Sequence, residues 1–174
     1  MFKKKISQEE FVDLLLEVRS EIEKLAIKAL NEDFNYSGDK KKLQYEVMIF
    51  SLWLITLSAL SKNQEIKDML HSTFSWRYWG VEENEPLFKQ IDKRYKNYYE
   101  AFNMWQKNSQ SGYMIGTVIV ETIKNQNPDF SLSEKIPTVG GIEALKATII
   151  FGELFKVTLK MIGEIKKEYK IKNF

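Results

Sequence analysis

The run from Leu43 to Leu60 constrains this chain more than any other feature. Its charge-free part, Val47 to Leu60, is 14 residues long and carries Met48, Ile49, Phe50, Leu52, Trp53, Leu54, Ile55 and Leu57. A helix built from it is apolar on every side, so protein or lipid must wrap it. A membrane span needs about 20 apolar residues, whereas this run is shorter and follows Lys40, Lys41, Lys42, Gln44 and Glu46. It predicts a central buried helix, and the remaining segments must supply what surrounds it.

Those segments have the spacing that wrapping requires. Ser7 and Glu10 stand at capping-box separation, so a first helix starts there. Phe11, Leu15, Val18, Ile22, Leu25 and Ala29 then form one helical stripe, which the turn Asn35-Tyr36-Ser37-Gly38-Asp39 ends. Asn63 to Phe74 reads as a shorter helix leading into a turn at Trp76-Arg77-Tyr78-Trp79-Gly80. Pro86 suits the first position of a fourth helix, on which Phe88, Ile91, Tyr95, Tyr98, Phe102 and Trp105 make an aromatic seam as far as Lys107. That seam is expected to face the interior or a subunit interface, with Tyr95 and Tyr98 bonded to a group such as Glu46 or Glu121 or tipped toward its edge.

Ser111 to Lys124 is apolar around most of its circumference, and Gly112 and Gly116, four apart, predict that another backbone crosses there. After Asn127-Pro128-Asp129 and a loop with Pro137 and Gly140-Gly141 comes a long last helix. It is defined by Ile142, Leu145, Ile149, Gly152, Phe155, Leu159, Ile162 and Tyr169 and ends in a lysine-rich tail. The β-branched clusters sit inside helical patterns, so no strand is expected. The fold class is all-α: residues 1–174 as a single-domain bundle of about six helices with a largely buried second helix.

Composition narrows function mainly by exclusion. With 44% hydrophobic residues in 174, the chain can bury a core. It has no cysteine and one histidine, His71, which removes thiolate sites, cysteine nucleophiles and paired-histidine metal sites. No phosphate-binding glycine loop, dinucleotide fingerprint, nucleophile elbow or zinc-protease motif is present. No cofactor or metal is therefore expected. Lys3, Lys4 and Lys5 resemble the basic start of a secretory signal, but Gln8, Glu9, Glu10 and Asp13 interrupt the apolar run it would need, so the cytoplasm is the expected compartment.

The net charge of +2 is unevenly divided, with −3 over residues 1–87 and +5 over residues 88–174. Lys146, Lys156, Lys160, Lys166, Lys167, Lys170 and Lys172 make the last helix and tail basic, but Glu153, Glu164 and Glu168 interleave them, as on a solvated face. With only Arg19, Arg77 and Arg94 for bidentate phosphate or base recognition, nucleic acid is not an expected partner, nor is a membrane surface.

Two groups of residues are candidates for function. Glu46 and Glu121 are the carboxylates in the most apolar surroundings, and with Arg94 and Tyr98 they would supply the polar groups of a pocket walled by Trp53, Phe102 or Trp105. The plainer alternative is that each glutamate reaches water or pairs with a base such as Arg94. Trp76, Arg77, Tyr78 and Trp79 combine the residue types that dominate interaction hot spots, although a lid over the core would use the same types. The leading expectation is a non-enzymatic module that binds protein, including a second copy of itself. A small-molecule binder or enzyme with a pocket inside the bundle is the alternative.

Overall fold

The computed structural model describes residues 3–34, 36, 38–59, 63–80, 85–107, 113–125, 127, 130–132 and 141–171. In chain order the elements are β1 (Lys4–Ile6), α1 (Gln8–Phe34), α2 (Lys40–Ala59), α3 (Gln64–Trp79), α4 (Glu85–Lys107), α5 (Tyr113–Ile119), a π-helical turn (Val120–Lys124), α6 (Ile142–Glu168) and β2 (Tyr169–Ile171). The fold is an all-α bundle, with six α-helices among the described residues.

Short polar residues start the helices as their chemistry requires. The capping box closes at α1, where the Ser7 N–H donates to Glu10 Oε2 at 2.7 Å and the Glu10 N–H donates to Ser7 Oγ at 3.2 Å. Asp39 Oδ1 accepts from the N–H groups of Lys41 and Lys42 at the head of α2, and Asn63 Oδ1 accepts from the Ile66 N–H at the head of α3. Every residue from Ile49 to Thr56 is buried, so α2 is the central rod that its composition demands. The core around it draws on Phe11, Leu15 and Ile22 of α1, Leu70 and Phe74 of α3, Tyr98 of α4, Val118 of α5 and Phe151 of α6.

The crossing expected at Gly116 is present and close. A Cβ added there would stand 1.9 Å from the Ala144 carbonyl oxygen and 2.4 Å from Thr148 Oγ1, so α5 and α6 touch backbone to backbone. On α4, Ile91, Tyr95, Tyr98 and Phe102 are buried and Trp105 is half-buried, as the seam predicts. Gly112, Pro128, Asp129, Pro137, Gly140 and the side chains of Trp79, Pro86 and Phe88 lie outside the described residues.

Three expectations need correction. First, two strands exist: β1 and β2 pair in parallel, Lys4 with Tyr169 and Ile6 with Ile171, and bring the start of α1 beside the end of α6. Second, Trp76-Arg77-Tyr78-Trp79 is the last turn of α3, because the left-handed conformation that stops the helix falls on Gly80 at φ 68°, whose N–H donates to the Trp76 carbonyl. Third, the α1 stripe shifts after Ile22 to Ala26 and Leu30, leaving Leu25 exposed; a 3.5-residue repeat drifts around a 3.6-residue helix. On α6, Ala144, Ala147, Phe151, Leu154, Thr158 and Ile162 face inward, while Ile142, Leu145, Ile149 and Leu159 are exposed.

Candidate functional site

Glu46 of α2 and Arg94 of α4 meet inside the bundle as a bidentate pair. Arg94 Nε donates to Glu46 Oε2 at 2.5 Å, Arg94 Nη2 donates to Glu46 Oε1, and Arg94 Nη1 donates to the Gln90 carbonyl at 3.2 Å. Both side chains are buried. Burial alone would pull the Arg94 guanidinium down, but the hydrogen bonds and charge of Glu46 more than reverse this and hold it above its ordinary value. Each carboxylate oxygen is engaged by a guanidinium nitrogen, the geometry of a structural ion pair.

Tyr98 lies within electrostatic reach of this pair but bonds elsewhere. Its hydroxyl meets Thr122 Oγ1 at 3.2 Å, and because Thr122 donates to the Val118 carbonyl at 2.6 Å, Tyr98 is the donor. Burial pushes the phenol far above its ordinary value, against the opposing pull of the Thr122 hydrogen bond, so Tyr98 stays neutral. Glu121 does not join the group; it sits half-exposed on the π-helical turn and accepts from Asn125 Nδ2 at 3.3 Å. The structure thus brings Glu46, Arg94 and Tyr98 together and leaves Glu121 apart. Tyr95 and Tyr98 are buried as expected, but neither bonds to a glutamate.

The aromatic residues expected to wall a pocket pack against other rings. Trp53 is enclosed by Tyr98, Tyr99, Phe50, Phe151 and Phe102, with ring centroids 5.0 to 6.4 Å away. Its Nε1 has no hydrogen-bond partner. A cleft of about 450 Å3 opens between α1 and α6, lined by Leu14, Val18, Met161 and Ile165 with Glu17, Ser20 and Glu21 beside them. None of the four predicted polar residues lines it.

The last turn of α3 is anchored to α1. Arg77 Nη2 donates to Asp13 Oδ1 at 2.6 Å, and Tyr78 accepts from Arg19 Nη2 at 2.8 Å while its ring covers that guanidinium at 4.5 Å. Trp76 remains 60% exposed. Arg19 is the residue that sequence reasoning missed. It is fully buried, pairs with Glu23 at 2.5 Å and also lies 5.3 Å from the Phe74 ring. Its scarcity among lysines, with a glutamate four residues on, was the available signal.

His71 and Asn97 are two further buried or partly buried polar anchors. His71 Nδ1 contacts the Lys67 carbonyl at 2.7 Å, which accepts only, so Nδ1 carries the proton and Nε2 of the neutral ring accepts from the Tyr95 hydroxyl at 3.0 Å. Asn97 Nδ2 donates to the Phe130 carbonyl and Asn97 Oδ1 accepts from the Leu132 N–H, pinning that segment to α4.

The outward face of α6 is the largest departure from ordinary surface chemistry. Ile142 is 74% exposed, Ile149 59%, Leu145 58% and Leu159 45%, on a helix that already buries a full stripe on its other side. Lys146, Glu153, Lys156 and Lys160 flank or interrupt this face, and Lys156 Nζ contacts Glu153 Oε1 at 2.8 Å. Among the described residues no helix is long and apolar enough to cross a membrane, and no group of three His, Asp or Glu side chains is placed to hold a metal ion. No protein-family model, no curated protein and no solved structure matches the chain.

Proposed function

We propose that this chain is a helical protein-interaction and assembly module that works in the cytoplasm as a homo-oligomer and carries out no catalysis. The observation that carries this reading is the outward stripe of α6, where Ile142, Leu145, Ile149 and Leu159 are exposed in one line. Single exposed apolar residues are normal on a protein surface, but several aligned on one helix mark a surface that is covered when the protein works. Each is already partly covered, so burying the remainder would gain roughly 1 to 2 kcal/mol per side chain.

The pocket reading has less support. Glu46 and Arg94 satisfy each other, and rings fill the space beside Tyr98. Sedimentation velocity and light scattering across the micromolar range test the assembly reading. A mass that rises with concentration toward a defined oligomer is expected. A strictly monomeric chain that recovers no partner from lysate would overturn it.

A further inference from the structure

We infer that α6 pairs with α6 of a second copy as an antiparallel two-helix seam, an inference that rests on the assembly reading and names its surface. The outward positions Ile142, Leu145, Ile149, Gly152, Lys156, Leu159 and Gly163 alternate in steps of three and four, which is the repeat of a coiled-coil seam. Core contacts within the bundle use the other side of the helix, Ala144, Ala147, Phe151, Leu154, Thr158 and Ile162. The chain therefore carries two apolar repeats on one helix, and only one has a partner among the described residues.

The outward glycine within the paired stretch, Gly152, points the same way. A Cβ at Gly152 or Gly163 would meet nothing within 4 Å, in contrast to Gly116, where it would strike the Ala144 carbonyl. Neither glycine is among the positive-φ residues. Glycine inside a helix costs stability, and nothing in the fold of one copy requires it at these two positions. A second helix lying close against the seam requires it at Gly152; Gly163 lies beyond the stretch that two antiparallel copies of α6 share.

Charge selects the orientation. In a parallel, in-register pair Lys156 would lie against its own copy, which is repulsive. An antiparallel pair with its two-fold axis between residues 150 and 151 sets Ile142 beside the partner's Leu159 and Ile149 beside the partner's Gly152. Leu145 then runs along the methylene stem of the partner's Lys156. The same arrangement places Lys146 near the partner's Glu153, and by symmetry it does so twice. A single-helix seam covers on the order of 1,000 Å2 in total, the lower end for specific interfaces, so the dimer should form at micromolar concentration and dissociate on dilution.

Because the chain has no cysteine, single-cysteine variants report the geometry without background. An equimolar mixture of Ile142→Cys and Leu159→Cys should give a crosslinked dimer with bismaleimidoethane, whereas Ile142→Cys alone should not. In the antiparallel pair its two copies stand 17 residues apart along the axis, about 25 Å. Leu145→Glu, on the exposed face, should weaken association at least tenfold by sedimentation velocity while leaving the circular dichroism spectrum and melting of the monomer unchanged.

Crosslinking of Ile142→Cys to itself would overturn the antiparallel seam. A dimer unaffected by Leu145→Glu would place assembly elsewhere, overturning this inference and leaving the assembly reading intact. A chain monomeric at every concentration overturns both. Two further measurements then say what covers the face. Co-sedimentation with vesicles of anionic phospholipid that is lost in Leu145→Glu would assign it to lipid. Protection of Leu145→Cys from a maleimide in the monomer would assign it to residues 133–140 of the same chain.

Discussion

Arg94 and Glu46 close on each other through two parallel hydrogen bonds between α4 and α2, with both side chains almost wholly sealed from water. Burying two ions carries a large desolvation cost, which the pair offsets by mutual attraction. Removing one partner should therefore cost far more than removing both. Arg94→Met is expected to lose about 3 to 5 kcal/mol, while Glu46→Leu combined with Arg94→Met should fall within about 1 kcal/mol of the parent or exceed it. Urea denaturation of the two single variants and the double variant measures this directly. Additive losses would show that the pair is held by more than its own charges.

The contact of Gly116 with Ala144 makes the α5–α6 crossing intolerant of any side chain. Gly116→Ala would drive its methyl group into the Ala144 carbonyl and Thr148, both on a helix packed against the core. A loss of about 1 to 3 kcal/mol is expected from overpacking of this kind. Gly163→Ala is the control, because the added Cβ meets open space. It should stabilise the monomer by about 0.5 to 1 kcal/mol through helix propensity. If both substitutions move the melting temperature in the same direction, the close crossing is not where the structure places it.

The helices were legible wherever the apolar positions allowed a single arrangement, one face or all round. The aromatic seam of α4 and the all-round burial of α2 follow from spacing and composition, because removing those side chains from water stabilises the fold more than any other contact they make. The orientation of α6 was not legible for the same reason: its apolar residues recur on two faces, and periodicity cannot choose between them. The face that won includes Ala144, Ala147 and Thr158, residues of modest hydropathy, and the close approach of Gly116 falls on it at Ala144. The pairing of Lys4 with Tyr169 was equally hidden, since three-residue strands carry no usable repeat and their partners lie far apart in sequence. At the candidate site, the apolar surroundings of Glu46 and the scarcity of arginine make Arg94 a natural partner, whereas the two-pronged geometry emerges only from the packing of α2 on α4. Arg19 is hard to read because a charged residue on the buried side of an amphipathic helix runs against the pattern; the pairing with Glu23 and the cover of Tyr78 and Phe74 account for it.

Phe102 and Lys96 occupy opposite faces of α4 and test that assignment. Phe102 is buried and packs edge-on against Trp53, Trp105, Phe151 and Phe155. Truncating it to alanine removes contacts with four rings and leaves a cavity among rigid neighbours, for an expected loss of about 3 to 5 kcal/mol. Lys96 is exposed, and its nearest carboxylate, Glu100, stands 4.0 Å away. Lys96→Ala should stay within about 0.5 kcal/mol of the parent. Equal melting temperatures for the two variants would mean that the seam faces the other way.

His71 is the only histidine in the chain and gives the bundle a stability that depends on pH near neutrality. Burial lowers its pKa, against the Lys67 carbonyl, which favours the charged ring; nearby Lys67 lowers it further, and Asp68 of α3 and Asp92 of α4 raise it. The folded protein therefore binds a proton at His71 less readily than the unfolded chain, whose histidine titrates near about 6.5. The resulting stability is fully present above that value and is lost as the pH falls through it, because the unfolded state then takes up the proton first. Protonation would also convert Nε2 from an acceptor of the Tyr95 hydroxyl into a donor, so that hydrogen bond must reverse. Melting temperatures taken between pH 7.5 and 5.5, above the range where carboxylates titrate, should fall for the parent and stay nearly flat for His71→Gln. Parallel slopes for the two proteins would show that His71 is already solvated in the folded state.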